Sequence, residues 1–83
     1  MKLEETKAII SNECLKYYNL FEEHEIREHE ISIVSYSNKW KVYATDERAS
    51  IITGSEIIFE NEDDALNNFI KRLRSLNRIK NKQ

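Results

Sequence analysis

The sequence predicts a small α+β domain with the element order α-β-β-β-α, in which two helices pack on one face of a three-stranded antiparallel sheet. Apolar residues near both ends of the chain recur at steps of three and four, which is the period of a helix with one buried face. In the middle of the chain apolar and polar residues alternate, which is the period of a strand. The 83 residues suffice for one domain, so we expect residues 1–83 to share a single core.

The first helix is predicted over residues 3–19, and residues 22–30 (EEHEIREHE) are expected either to extend it or to form its exit loop. Cys14 is the only cysteine, so no disulfide can form within the chain. Its place on the apolar face predicts a small core residue. The positions that recur on that face are Leu3, Thr6, Ile10, Cys14, Tyr17 and Phe21.

Two strands, at residues 30–36 and 40–45, are predicted to form a hairpin through a turn at residues 37–39, because Ser and Asn tolerate turn geometry. Alternation puts Trp40 and Val42 on the face toward the helices and Tyr43 on the opposite face. We therefore expect Tyr43 to be exposed and available as a binding anchor. Ordinary cross-strand packing is the alternative explanation for this tyrosine.

A third strand is predicted within residues 50–60, where Gly54 marks a bulge or turn and Ile57 and Phe59 face the core. Asn61 is expected to cap the second helix, whose first turn holds three acids that suit the positive end of the helix dipole. The predicted buried stripe of this helix is Leu66, Phe69, Ile70, Leu73 and Leu76.

Charge is unevenly distributed, although the net charge is only −2. Residues 1–30 hold eight Glu against four Lys or Arg, whereas residues 71–83 hold six bases and no acid. Bases suit the negative end of a helix dipole, and we expect residues 77–83 to fray. The bases of residues 71–82 could instead bind nucleic acid, but the acidic balance of the whole chain and the absence of aromatic residues there favour no nucleic-acid partner.

Candidate catalytic and metal-binding residues are few. His24 and His29 are five positions apart, whereas two ligands on one helix face must be four apart to hold one zinc ion. A single glycine cannot build a phosphate-binding loop, and no pair of carboxylates stands in a recognisable acid–base frame. We therefore predict no enzymatic activity, no metal and no cofactor. A metal-dependent enzyme built around the two histidines is the weaker alternative.

The chain starts MKLEETKAII, which lacks the apolar run of a signal peptide, and no stretch approaches the roughly 20 apolar residues of a membrane helix. We expect the protein to work in the cytoplasm and to have no membrane partner.

The stretch WKVYATDERAS, residues 40–50, places three charges directly after the second strand. Asp46 can accept hydrogen bonds from amides further along the chain and so fix a turn. Asp46 or Glu47 can also hold Arg48 through a bidentate pair. The charges therefore either lock the corner or point toward a partner.

The run WKVYATDER, followed by IITGS, an acid-rich helix start and ALNNFIKRLR, resembles the small immunity proteins of bacterial polymorphic toxin systems, and among them the immunity protein 59 family. The similarity covers about residues 30–74, with a compatible leading helix. One departure is Ala49, where we would expect glycine. The resemblance implies a protein without catalytic activity that binds a cognate toxin domain tightly in the cytoplasm of the producing cell.

Two regions are expected to contact the C-terminal domain of such a toxin. A negative patch speeds association with a basic partner, although it also serves solubility. The chain is expected to be a monomer or a weak homodimer, because an edge strand of a three-stranded sheet is open to pairing. A regulatory or phage-encoded adaptor that binds another host protein would share these surface features and stays open as an alternative. The predicted toxin-binding residues are Tyr43, Asp46, Glu47 and Arg48 at the turn, and Glu22, Glu23, Glu25 and Glu28 in the acidic segment.

Overall fold

A computed structural model, which describes residues 1–82, has an α+β fold with two helices and one mixed sheet. The sheet order is β1-β2-β3-β4; β1 is parallel to β2, and the other neighbours are antiparallel. The α+β class and the three antiparallel strands are confirmed, but the prediction of a sheet with only three strands is wrong. The elements are α1 (Leu3–Asn12), β1 (Tyr18–Leu20), β2 (Ile31–Tyr36), β3 (Lys39–Ala44), β4 (Ile57–Phe59) and α2 (Glu62–Asn81).

The first helix ends seven residues earlier than its apolar pattern predicts. Cys14 has a φ of +52°, and the backbone amides of Cys14 and Leu15 donate to the carbonyls of Ser11 (3.3 Å) and Ile10 (3.0 Å). This pair of hydrogen bonds is a Schellman motif, which usually has glycine where Cys14 stands. The chain is thereby released to form β1, and the expectation that Cys14 is a core residue is wrong, since its side chain is exposed.

Replacement of Cys14 by glycine is expected to stabilise the protein by about 1 kcal/mol. A side chain in the left-handed region costs roughly that much, and glycine removes the cost. The urea midpoint of unfolding should rise for Cys14→Gly and stay near that of the parent for Cys14→Ala, which lacks the thiol but keeps Cβ. Equal midpoints for the two variants would show that the left-handed backbone at this position carries no strain.

The hairpin forms as the sequence predicts. Ser37 and Asn38 connect β2 to β3, and both have positive φ angles, +48° and +63°. This conformation matches the right-handed twist of the flanking strands. It also fixes the register, which pairs Ile33 with Val42 on the face toward the helices.

The core lies between that face of the sheet and the two helices. Leu20, Ile33 and Val42 lie side by side across β1, β2 and β3 and are 4% exposed or less. Ile10 of α1 belongs to the same buried cluster. The predicted stripe of α2 is confirmed, since Leu66, Phe69, Ile70 and Leu73 are fully buried and Leu76 is partly buried against them.

Part of the opposite face of the sheet is also covered, which the sequence did not lead us to expect. Asn19, Ser32 and Tyr43 lie in register across β1, β2 and β3, and all three are buried. The Asn19 side chain donates to the carbonyl of His24 (3.0 Å), so the loop between β1 and β2 lies over this face. The expectation of an exposed Tyr43 is therefore wrong, since its side chain is only 8% exposed.

Capping of α2 agrees with the prediction. The Oδ1 atom of Asn61 accepts a hydrogen bond from the backbone amide of Asp64 at 2.8 Å. The helix continues to Asn81, and several of the bases near its end have partners in the protein. Arg74 pairs with Glu13 through two hydrogen bonds, and the Nζ atom of Lys80 lies 5.6 Å from the ring centre of Tyr17.

Candidate functional site

An open cleft of about 740 Å³ lies where the loop before β2 meets the corner after β3. We call it the charged cleft, because six of the nine side chains that line it are Lys, Arg or Glu. One wall is formed by residues 27–30 and the other by residues 47–49. The lining residues are Tyr17, Arg27, Glu28, His29, Glu30, Glu47, Arg48, Ala49 and Lys80.

Thr45 joins the two walls of the charged cleft. Its hydroxyl donates to the carbonyl of Arg27 (2.7 Å) and accepts from the amide of Glu30 (2.9 Å). The amide of His29 donates to the carbonyl of Asp46 (3.1 Å), which adds a further link. Thr45 is 3% exposed, so these hydrogen bonds are shielded from water. These hydrogen bonds thus hold the end of the predicted acidic segment, at Glu28, next to the predicted turn at residues 46–48.

The corner at residues 46–50 is locked by Asp46, as one of the two sequence interpretations predicts. Its Oδ1 atom accepts hydrogen bonds from the amides of Arg48 (2.8 Å) and Ser50 (3.0 Å). Ala49 has a φ of +60°, the left-handed region in which glycine is favoured. The expected bidentate pair to Arg48 does not form: within residues 1–82, its guanidinium has no carboxylate partner within 4 Å.

Asp46→Ala is expected to lower the Tm by a few degrees near pH 7. The hydrogen bonds from Ser50 and then Arg48 hold the pKa of the Asp46 carboxyl below its ordinary value of 3.8. A lowered pKa means that the ionised corner stabilises the fold above about pH 4 and loses this contribution as the pH falls further. The Tm difference between parent and variant, followed by thermal unfolding, should therefore shrink between pH 5 and pH 2.

Asp46→Asn is the matched control for this experiment. The amide oxygen can still accept the two hydrogen bonds but carries no charge, so the Tm should lie between those of the parent and Asp46→Ala. A Tm difference between parent and Asp46→Ala that is independent of pH would contradict the assigned role of the carboxylate.

Glu30 is a buried carboxylate in the floor of the cleft that sequence reasoning missed as a site residue. It is 7% exposed, and its Oε2 atom lies 3.4 Å from Nε2 of His24. Its Oε1 atom has no hydrogen-bond partner among residues 1–82. Burial raises the pKa of Glu30 despite the opposing electrostatic interactions with His24 and Arg27. Its position directly before a strand was the one signal that could have indicated burial.

The charged cleft is mixed in charge rather than acidic. Arg27, Arg48 and Lys80 face it together with three glutamates. No ion pair within residues 1–82 joins any of these three bases to an acid of the chain. Of the predicted binding residues, Glu28, Glu47 and Arg48 line the cleft and are exposed, whereas Glu22, Glu23 and Glu25 are exposed elsewhere on the same loop.

The two histidines have structural contacts. His24 lies with Nδ1 2.6 Å from the carbonyl of Glu25 and Nε2 3.1 Å from that of Tyr18. His29 has a φ of +51° and forms part of the cleft wall. In the part of the chain that the structure describes, no three His, Cys, Asp or Glu side chains are arranged to hold a metal ion.

A family model described as immunity protein 59 matches residues 2–83, which is essentially the whole chain. The chain belongs to the immunity protein 59 family. The match extends the sequence resemblance from about residues 30–74 to both helices. Comparison with curated proteins and with solved structures gives no significant match.

Immunity protein families are generally non-enzymatic, and membership implies a partner protein. The charged cleft brings together three of the predicted contact residues, Glu28, Glu47 and Arg48.

Neither helix of residues 1–82 is both long enough and apolar enough to span a bilayer.

Proposed function

We propose that this member of the immunity protein 59 family binds the C-terminal domain of a cognate bacterial toxin in the cytoplasm and neutralises it without catalysis. Family membership over residues 2–83 is the observation that carries the proposal. The toxin is the partner class that such a family implies, and the mode of action is occlusion of the toxin surface.

The charged cleft is the proposed centre of the contact. Glu28, Glu47 and Arg48 are exposed at its rim, and their charges are available to a partner. Hydrogen bonds from Thr45 hold the two walls, so little ordering is needed when a partner binds. Charges presented on an ordered frame give specificity and fast association.

The remaining predicted residues have different parts in this proposal. Glu22, Glu23 and Glu25 lie on the same loop, outside the cleft, and would attract a basic partner over a longer range. Asp46 acts through the corner, since its carboxylate is occupied by backbone amides. Tyr43 is buried, so it supports the sheet and offers a partner only a small exposed area.

Affinity capture from the source cells tests the proposal. The tagged chain should recover a large secreted protein through its C-terminal domain, and that domain, purified in a catalytically inactive form, should bind the chain with nanomolar or lower Kd. Recovery of a housekeeping or regulatory protein instead, with no binding to a toxin domain, would favour an adaptor and overturn the proposal.

A further inference from the structure

The outer edge of the sheet at β4 is open and apolar. β4 is the last strand in the sheet order, so its outer side has no neighbouring strand in residues 1–82. Ile57 and Ile58 in this strand are 43% and 51% exposed, and Ile51 and Ile52 in the preceding segment are 39% and 42% exposed. Four large apolar side chains are thus half in water along one edge.

The direction of the backbone hydrogen bonds identifies which amide and carbonyl groups of β4 point away from the sheet. The amide and carbonyl of Ala44 both bond toward the segment before β4, through Ser55 and Ile52. Bonding direction alternates along a strand, so Val42, two residues earlier, turns its polar groups toward β4 as well. Its register partner is Ile57, so the amide and carbonyl of the next residue, Ile58, point outward to the open edge.

The side chains around Ile58 define the chemistry of a partner. Glu56 and Glu60 flank it on the same face, where they pair with Lys41 (3.0 Å) and Lys39 (3.4 Å) of β3. The two carboxylate side chains are still 44% and 79% exposed. On the other face, a groove of about 510 Å³ lies between α2 and the sheet. Ile31, Ile57, Leu76 and Ile79 form its apolar part, and Asn68, Lys71, Arg72 and Ser75 form its polar part.

A second copy of the chain is a poor occupant of this edge. An antiparallel pairing that matches Ile58 with Ile58 places Glu56 of each copy opposite Glu60 of the other, and like charges directly opposite are destabilising. A partner strand with an apolar residue at its centre and Lys or Arg two positions to either side would instead place its apolar residue opposite Ile58. Its bases would then lie opposite Glu56 and Glu60, which already face Lys41 and Lys39 of β3 on their other side. Its intervening side chains lie on the face toward α2 and can contact the apolar residues of the groove, Ile57 among them.

We propose that a β-strand of the toxin, apolar at its centre and flanked by basic residues, adds to the β4 edge through the outward amide and carbonyl of Ile58. This inference rests on the proposed function and names a second contact surface, separate from the charged cleft. Strand addition gives affinity through main-chain hydrogen bonds and specificity through alternate side chains.

Ile58→Pro tests the inference, because proline removes the outward amide. That amide takes no part in pairing with β3, and an edge position of this kind tolerates proline. The Kd of Ile58→Pro for the captured, inactive toxin domain should rise about 10-fold or more, because one main-chain hydrogen bond is lost and the partner strand is aligned less well. Ile58→Thr keeps the amide and serves as the matched control, with a smaller loss. Circular dichroism checks that both variants are folded.

The outcomes separate the inference from the proposed function. If the parent binds the domain and Ile58→Pro binds it equally well, the inference is overturned and the proposed function stands. If the parent does not bind, both fail. A parent chain that sediments as a dimer, and as a monomer after Ile58→Pro, would assign the edge to a second copy and overturn the inference.

Discussion

Arg48→Glu is expected to weaken binding of the toxin domain about 100-fold. Arg48 lies at the rim of the charged cleft, and no carboxylate of residues 1–82 is within ion-pair distance of it, so its charge is available to the partner. Reversal of a charge at the centre of an interface removes one ion pair and adds a repulsion, which together cost roughly 2–5 kcal/mol. Isothermal titration calorimetry measures the change in Kd.

Lys2→Glu is the matched control for this variant. Lys2 is exposed, and the adjacent Leu3 lies beside the β2–β3 turn, at the opposite end of the hairpin from the cleft. Its substitution makes the same change in net charge. Its Kd should stay within about threefold of the parent, since remote charges act mainly through screened, long-range attraction. Equal weakening by both variants would mean that net charge, and not the charged cleft, governs binding.

Asn77→Leu is expected to destabilise the fold by about 2–3 kcal/mol. Asn77 is 7% exposed, and its side-chain amide accepts from the amide of Lys16 and donates to the carbonyls of Lys16 and Leu73, each at 2.8 Å. Leucine leaves both backbone groups of Lys16 without their partner, and each such loss costs about 1–3 kcal/mol. Urea unfolding measures the change.

The loss should be local as well as global, because Lys16 lies two residues before the start of β1. Hydrogen exchange at residues 18–20 should accelerate more in Asn77→Leu than exchange within the β2–β3 hairpin. Arg78→Leu, the neighbouring exposed position on α2, serves as the control and should change stability by about 0.5 kcal/mol or less. Unchanged protection of β1 would show that Asn77 does not hold this strand in the sheet.

Periodicity predicted the parts of the fold that packing alone determines. The stripe on α2 and the alternation in the β2–β3 hairpin each follow from burial of one face. The burial of Asn77 was not predicted, although Asn77 lies four residues after Leu73 on the same stripe. A polar residue at such a position is normally taken as the end of the buried face. Its hydrogen bonds to Lys16 could be recognised only once the two ends of the chain were placed together.

Turns were harder to predict because this chain has one glycine. Cys14, Tyr17, Phe21 and Ala49 are among the residues that adopt the left-handed conformation in its place. No glycine marks the end of α1, and the helical spacing of apolar residues continues past Cys14. The sequence therefore predicted helix where β1 begins. Ala49 was the exception, since the family resemblance led us to expect glycine there, and its φ of +60° explains that expectation.

Three of the predicted binding residues line the charged cleft, but the shape of the cleft could not be predicted from the sequence. The exposed Glu28, Glu47 and Arg48 were named from charge and exposure pattern, but the hydrogen bonds of Thr45 that bring their segments together connect residues far apart in sequence. Tyr43 was misread because alternation assigns a face without revealing what covers it. The loop between β1 and β2 lies over part of that face, where the carbonyl of His24 accepts a hydrogen bond from the Asn19 side chain, and Tyr43 is buried on the same face.

Growth of cells that express the captured toxin domain tests the central claim most directly. The account predicts that co-expression of the parent chain restores growth and that Arg48→Glu, at equal abundance, restores it only in part. Cells that stay inhibited although the parent chain is abundant and binds the domain would show that binding does not neutralise the toxin, which would contradict the proposed function.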